Sequence, residues 1–196
     1  MKKYLIILAT ILMSFTTFSN DPVDRIGVAE PLTFNKTIFN LSWTDKPNDT
    51  YYIQEYLQTG QKSESFNQML TLHLFDKDIK VKDAVKQKTK ELETRKKTDP
   101  TCNYQVTESP DGKEFMVDFL LGESKGDKMT IIEFNIYHYK QVELGDKRKG
   151  ILVYAYTKRA YGDDITPFLK KLRNDRTDLL NVMIGSEMPT VKLAEK

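Results

Sequence analysis

Residue types that commonly perform chemistry are sparse in this 196-residue chain, which contains one cysteine and two histidines. His73 and His138 are far apart, and neither has a histidine or cysteine at the short spacing typical of zinc sites. The sequence has no glycine-rich phosphate loop, nucleophile elbow or HExxH motif. We therefore predict no catalytic residues, no metal site and no cofactor, and interpret both histidines as partly exposed or hydrogen-bonded structural residues.

Carboxylates and the single cysteine are the remaining candidates for reactive groups. Two carboxylate pairs, Asp76/Asp78 and Asp163/Asp164, lie at the ends of predicted elements, where capping and solvation account for them. Folding can bring distant carboxylates together, so an enzyme that uses acid–base catalysis is the less favoured alternative. Cys102 lies on the apolar side of a predicted strand and is interpreted as a small core residue.

Tyrosines on two adjacent predicted strands give the strongest indication of function. Pairing these strands about a turn at Gly145-Asp146 places Tyr137 opposite Tyr154 and Asn135 opposite Tyr156. Tyrosine combines a large contact area with a polar tip and is common at interfaces. The predicted binding residues are Tyr137, Tyr139, Tyr154, Tyr156 and Asn135. The alternative is that a helix covers this face and makes it a second core layer.

The strands that position these tyrosines form a predicted four-strand antiparallel meander over residues 101–161. Turn residues at 109–112, at 124–127 and around 145–146 separate runs that are rich in β-branched and aromatic residues. Centring the second hairpin on Lys125-Gly126 places Phe115 opposite Ile136 and predicts one continuous apolar face. Its members are Cys102, Tyr104, Val106, Phe115, Val117, Phe119, Ile132, Phe134, Ile136, Ile151, Val153 and Ala155.

Further strands and two helices flank the meander. Strands are predicted between residues 32 and 75, with Phe39, Leu41 and Trp43 on one face and Trp43 as a core anchor. Apolar spacing predicts a helix near 79–97 and a second near 166–184, followed by a loose tail over 186–196. The predicted fold is a single α+β domain, residues 20–196, built on a mostly antiparallel sheet.

Residues 1–19 have the pattern of an export signal. Lys2 and Lys3 precede a ten-residue apolar run, Tyr4–Met13, which is too short to span a bilayer. We expect a mature chain that is periplasmic or secreted and has no integral membrane segment. Removing Lys2 and Lys3 from 30 Lys and Arg residues leaves 28, equal to the 28 Asp and Glu residues. This zero net charge argues against a nucleic-acid partner.

The element order resembles that of the Mog1/PsbP-like α/β/α sandwich family. The stretch Tyr51–Leu57, followed by Gly60 and Phe66–Thr71, also resembles small exported bacterial proteins of unknown function. The resemblance to the small exported proteins implies export and supplies no catalytic residues, and the resemblance to PsbP-like proteins implies a non-enzymatic accessory or binding role. The competing architecture is a helix-grip fold, in which the helix at 166–184 closes a curved sheet over a lipid-sized cavity.

Two classes of function follow from these two architectures. The first is an exported, non-catalytic accessory or binding protein whose partner is another protein or a small molecule. The second is a carrier of a small apolar ligand, or a hydrolase, with an internal pocket. A filled core with a flat aromatic face favours the first class, and a large enclosed cavity favours the second.

Overall fold

The computed structural model describes residues 22–145 and 147–193. These residues form an antiparallel sheet of eight strands and two α-helices. The strands are β1 (Leu32–Phe34), β2 (Thr37–Asn48), β3 (Tyr51–Leu57), β4 (Gln68–Phe75), β5 (Asn103–Glu108), β6 (Glu114–Lys125), β7 (Lys128–Glu143) and β8 (Lys149–Tyr161). The helices are α1 (Val81–Arg95) and α2 (Ile165–Gly185). The strand order is β1-β2-β3-β4-β8-β7-β6-β5. The predicted α+β class, the four-strand meander and both helices are confirmed, whereas the predicted signal at 1–19 lies outside the described residues.

One helix packs on each face of the sheet, and these are called the α1 face and the α2 face. On the α1 face, Val81, Val85 and Leu92 of the helix pack against alternate residues of β6. These β6 residues are Phe115, Val117 and Phe119. Cys102 is buried in the same cluster with 4% exposure, so its predicted core position is confirmed.

The α2 face holds the larger core. Leu172, Leu179 and Met183 of α2 are buried in one cluster with Phe134 and Ile136 of β7. The cluster continues across β8 and β4 through Leu152, Tyr154, Tyr156, Leu70, Leu72 and Leu74. Each strand in the centre of the sheet thus contributes alternate residues to two separate cores, as the two-residue period of a strand requires.

Both ends of the described chain pack on the α2 face. Ile26 and Val28 before β1, and Val191 after α2, are buried in the α2-face core. The Lys192 backbone N–H donates a hydrogen bond to the Ile26 carbonyl at 2.7 Å. The prediction of a loose tail is therefore wrong for the residues up to 193, because apolar side chains anchor this segment.

The register of β6 against β7 differs from the sequence-based pairing. Phe115 pairs with Tyr139, three residues further along β7 than the predicted partner, Ile136. Most of this difference arises at the turn, where Lys125 pairs with Lys128, and a pairing irregularity close to the turn adds the rest. An odd shift moves every β7 side chain to the opposite face.

The register of β7 against β8 differs as well. Ile136 pairs with Tyr156 rather than with the predicted Ala155, a shift of one residue. The two odd shifts cancel between β6 and β8, so those strands share the predicted face and β7 alone is inverted. The single apolar face is therefore wrong for three of its members, which lie on the α2 face: Ile132, Phe134 and Ile136.

An irregularity in β2 also overturns the predicted role of Trp43. Leu41 pairs with Tyr56 and Trp43 with Glu55, so Ser42 between them has no partner on β3. The extra residue turns Trp43 away from the side that carries Phe39 and Leu41. Trp43 is 40% exposed on the α1 side of the sheet, and its prediction as a core anchor is wrong.

Candidate functional site

The predicted tyrosine face does not exist as one surface. Because β7 is inverted relative to the predicted pairing, Tyr137 pairs with Ala155 and lies on the α1 face with Tyr139. Tyr154 and Tyr156 lie on the α2 face, where they are 2% and 1% exposed. The structure therefore brings Tyr137 and Tyr139 together and separates them from the other two tyrosines.

Tyr154, Tyr156 and Asn135 are parts of the protein interior. Tyr156 packs on Phe34 with the ring centroids 4.5 Å apart and donates a hydrogen bond to Gln68 Oε1 at 2.7 Å. Asn135 is 3% exposed, and its Oδ1 accepts a hydrogen bond of 2.8 Å from the Thr157 hydroxyl. The alternative prediction, in which this face is covered and forms a second core layer, is therefore correct for Tyr154 and Tyr156. A binding role for Tyr137 and Tyr139 stays a prediction.

A groove runs beside α1 on the α1 face, and it contains both of these tyrosines. α1 packs mainly against β5, β6 and β7, which leaves β3 and β4 beyond its edge on the same face. The resulting α1 groove has a volume of about 390 Å³, at the lower end of the range for small-molecule sites. Its lining residues are Tyr51, His73, Phe75, Ile79, Ala84, Gln87, Lys88, Glu91, Tyr137, Tyr139 and Val153.

Aromatic rings form the sheet side of the α1 groove. Tyr51 and Phe75 stack with centroids 4.8 Å apart and ring planes 9° apart. The His73 ring is nearly parallel to Tyr51 at 6.1 Å and lies 5.6 Å from the Tyr137 ring. These residues come from three different strands, and the pairing of Tyr51 with Phe75 fixes their register. Tyr51 and Phe75 cover one face of each other, so together with Tyr137 they line the groove with apolar ring edges and outer ring faces that can pack against an aromatic ligand.

His73 is a neutral residue at the base of the α1 groove. Its Nδ1 atom lies 2.8 Å from the Tyr51 hydroxyl, and its buried Nε2 has no hydrogen-bond partner among the described residues. Burial lowers the pKa of His73 to about 4, and the positive charge of Lys88 contributes in the same direction. The predicted hydrogen-bonded role is confirmed, and at neutral pH His73 adds no charge to the groove.

The helix side of the α1 groove carries one cation and one anion. The Lys88 ammonium lies 5.0 Å from the ring centroids of both Phe119 and Tyr137. Its nearest carboxylate oxygen is Glu91 Oε2 at 3.7 Å, and the two side chains are 23% and 56% exposed. Gln87 donates a hydrogen bond of 3.4 Å to Glu91 Oε1. Lys88 is thus the more buried of the two charges and lies directly against the aromatic wall.

Sequence reasoning missed most of this groove, although one signal was visible. His73 and Phe75 alternate with the apolar run Leu70, Leu72 and Leu74, which already separates them from the main core. The neighbouring position of Tyr51 and the approach of Lys88 depend on strand pairing and helix docking. No local sequence pattern predicts which strands pair or where a helix docks.

The second histidine lies in a different environment, on the α2 face. The Nε2 atom of His138 is 2.7 Å from Glu114 Oε2, and Lys140 Nζ is 2.7 Å from the other oxygen of Glu114. Burial lowers the pKa of His138, while the Glu114 carboxylate opposes that shift. The predicted hydrogen-bonded role is confirmed for His138 too.

Residues 22–145 and 147–193 provide neither a cluster of metal-binding side chains nor a helix suited to cross a membrane. No group of three or more histidine, cysteine, aspartate or glutamate side chains is arranged there to hold a metal ion. No helix in this part of the chain is both long enough and apolar enough to cross a membrane.

Comparison with known proteins places the chain in a family. A protein-family model matches residues 26–188, which include every strand and helix of the structure. The chain belongs to this uncharacterised family. No curated protein matches the chain, and no solved structure matches it either.

Proposed function

We propose that this protein is an exported, non-catalytic binding protein that holds a small ligand in the α1 groove. The observation that carries the proposal is the aromatic wall of Tyr51, Phe75 and Tyr137 around a space of about 390 Å³. Ligand sites are typically concave, mostly apolar, and supplied with a few polar groups that fix orientation. His73, Lys88 and Glu91 are such groups at the edges of this groove.

The lining of the groove favours binding over hydrolysis, which was one of the alternatives. A hydrolase with a protein nucleophile needs a serine, cysteine or threonine within hydrogen-bond distance of its base. Among the described residues that line the groove, none is of these three types. His73 engages the Tyr51 hydroxyl instead.

For the fold, we propose the Mog1/PsbP-like sandwich rather than the helix-grip arrangement. A helix on each face of one antiparallel sheet supports the sandwich. A helix-grip fold has one long helix over a concave face, and here the core residues on that face pack directly against Leu172, Leu179 and Met183. A non-enzymatic binding role agrees with the sandwich family.

A fragment screen by nuclear magnetic resonance tests ligand binding in the groove. Aromatic fragments added to the isotope-labelled mature chain should shift the amide and side-chain signals of Tyr51, His73 and Tyr137. Tyr137→Leu should weaken binding of the best fragment several-fold. Trp43→Leu, which changes an aromatic residue on the same side of the sheet but outside the groove lining, should leave it unchanged. Shifts that map consistently to another surface, or no binding by any fragment, would contradict the proposal.

Export is tested separately by cell fractionation and intact-mass analysis. The charged start and short apolar run of residues 1–19 support it, and the mature chain should begin near Asn20. Replacing Leu5 and Ile6 with aspartate should retain the full-length protein inside the cell. Recovery of uncleaved wild-type protein from the cytoplasm or the membrane would contradict export.

A further inference from the structure

We propose that the ligand of the α1 groove is a planar aromatic molecule that carries a carboxylate. This inference rests on the proposed function and adds to it the chemical class of the ligand. The aromatic lining contributed by Tyr51, Phe75 and Tyr137 favours an aromatic body that packs on ring edges and outer ring faces, and the Lys88 ammonium beside Tyr137 favours a negative charge attached to that body.

Lys88 is the group that supplies the charge preference. It is the one lysine or arginine in the described lining of the groove, and His73 is neutral at physiological pH. Its ammonium makes no hydrogen bond to a described residue, since the closest carboxylate oxygen, on Glu91, is 3.7 Å away. A partly buried ammonium that has no acceptor within hydrogen-bond distance binds a carboxylate favourably, because charge-assisted hydrogen bonds are among the stronger ones in proteins.

The position of Glu91 indicates how the ligand charge is accommodated. Glu91 is more than half exposed, and Gln87, which also lines the groove, donates a hydrogen bond to it. A ligand carboxylate that binds Lys88 would therefore replace a long, solvent-exposed ion contact with a short and less exposed one. The two side chains are expected to have opposite effects on an anionic ligand: Lys88 attracts it and Glu91 repels it.

Isothermal titration calorimetry on the mature chain tests this with a matched pair of naphthyl probes and a smaller aromatic cation. These are 2-naphthoate, its neutral analogue 2-naphthamide, and the cation phenyltrimethylammonium. We expect 2-naphthoate to bind at least tenfold more tightly than the other two. Lys88→Gln should weaken 2-naphthoate binding by about tenfold or more and leave 2-naphthamide nearly unchanged, since it removes one charge-assisted contact.

Two further variants make the result specific to the groove. Glu91→Gln should strengthen 2-naphthoate binding about two- to fivefold, because it removes a nearby like charge that solvent partly screens. Lys90→Gln is the matched control, since it removes an exposed lysine of α1 that does not line the groove. It should change binding less than twofold.

The outcomes separate the two proposals. Equal binding of 2-naphthoate and 2-naphthamide in the groove, or an equal effect of Lys88→Gln and Lys90→Gln, would overturn the charge preference and leave the binding function intact. Tighter binding of phenyltrimethylammonium would also overturn it, in favour of an aromatic cage for cations. If no probe binds and fragment screening also finds no ligand, both proposals fail.

Discussion

Replacing Tyr156 by alanine tests the packing of the α2-face core. The Tyr156 side chain is 1% exposed, packs on Phe34 at 4.5 Å between ring centroids, and donates a hydrogen bond to Gln68. Truncating a buried aromatic residue to alanine typically costs about 3–5 kcal/mol through lost contacts and the cavity that remains. Tyr156→Phe keeps the ring and loses only the hydrogen bond, so it should cost about 1 kcal/mol.

Urea denaturation followed by far-ultraviolet circular dichroism measures both free energies of unfolding. For a chain of this size each kcal/mol lowers the melting temperature by roughly 2–4 °C, so Tyr156→Ala should melt on the order of 10 °C below the wild type. If Tyr156→Ala does not fold, Tyr156→Leu retains part of the apolar volume and gives the measurement. A loss below about 1 kcal/mol for Tyr156→Ala would refute its burial in the α2-face core, because only exposed positions tolerate that truncation.

Three other perturbations have outcomes determined by single contacts. In the unfolded chain His73 becomes protonated below its ordinary pKa of 6.5, but in the folded protein its pKa is only about 4. The free energy of unfolding should therefore fall as the pH drops from 6.5 to 4, because the unfolded chain binds the proton more readily. In urea titrations, His73→Gln should lose about 1–3 kcal/mol less stability over this pH range than the wild type does. Arg176→Met removes the 2.8 and 2.9 Å hydrogen bonds from Arg176 to the buried Asp118 carboxylate. Chemical denaturation at pH 7 should show that the free energy of unfolding falls by about 1–3 kcal/mol, less than for a fully buried ion pair because the Arg176 side chain is 35% exposed and solvent screens it. Asp118→Asn in that background should restore part of the loss; no recovery would argue against an unpaired charge as its cause. Cys102→Ser should cost about 1–3 kcal/mol with ligand binding unchanged, and rapid reaction of the native thiol with a thiol reagent would contradict its burial.

Local sequence patterns predicted the elements of this fold well and their pairing poorly. Turn residues identified all four strands of the meander, and apolar spacing identified α1 and α2 within one or two residues of their observed limits. The register of β7 depends on where each turn closes. Gly126, with φ of 62°, lies between Lys125 and its partner Lys128, and a shift of one residue in such a turn reverses a whole strand.

The candidate site shows the same division between local and long-range information. Each wall of the α1 groove comes from elements that were predicted: Tyr51 from β3, His73 from β4, Tyr137 from β7 and Lys88 from α1. The error at β7 changed the conclusion, because it placed Tyr137 beside Tyr154 instead of beside His73. A side chain that alternates with core residues on a strand could be assigned to a face only after the strand was correctly paired.

The irregularity in β2 has a spectroscopic consequence. Trp43 is the single tryptophan of the chain, and the extra residue before it turns its indole toward solvent at 40% exposure. Its emission in the native protein should lie at longer wavelength than that of a buried tryptophan, so unfolding should shift it less than it would shift a buried one. Trp43 fluorescence would therefore be a weak reporter of the cooperative loss of the two cores. Moving the chromophore by the double substitution Trp43→Phe and Phe119→Trp would place it beside Tyr137 and Lys88, where its emission would sense both unfolding and occupancy of the groove.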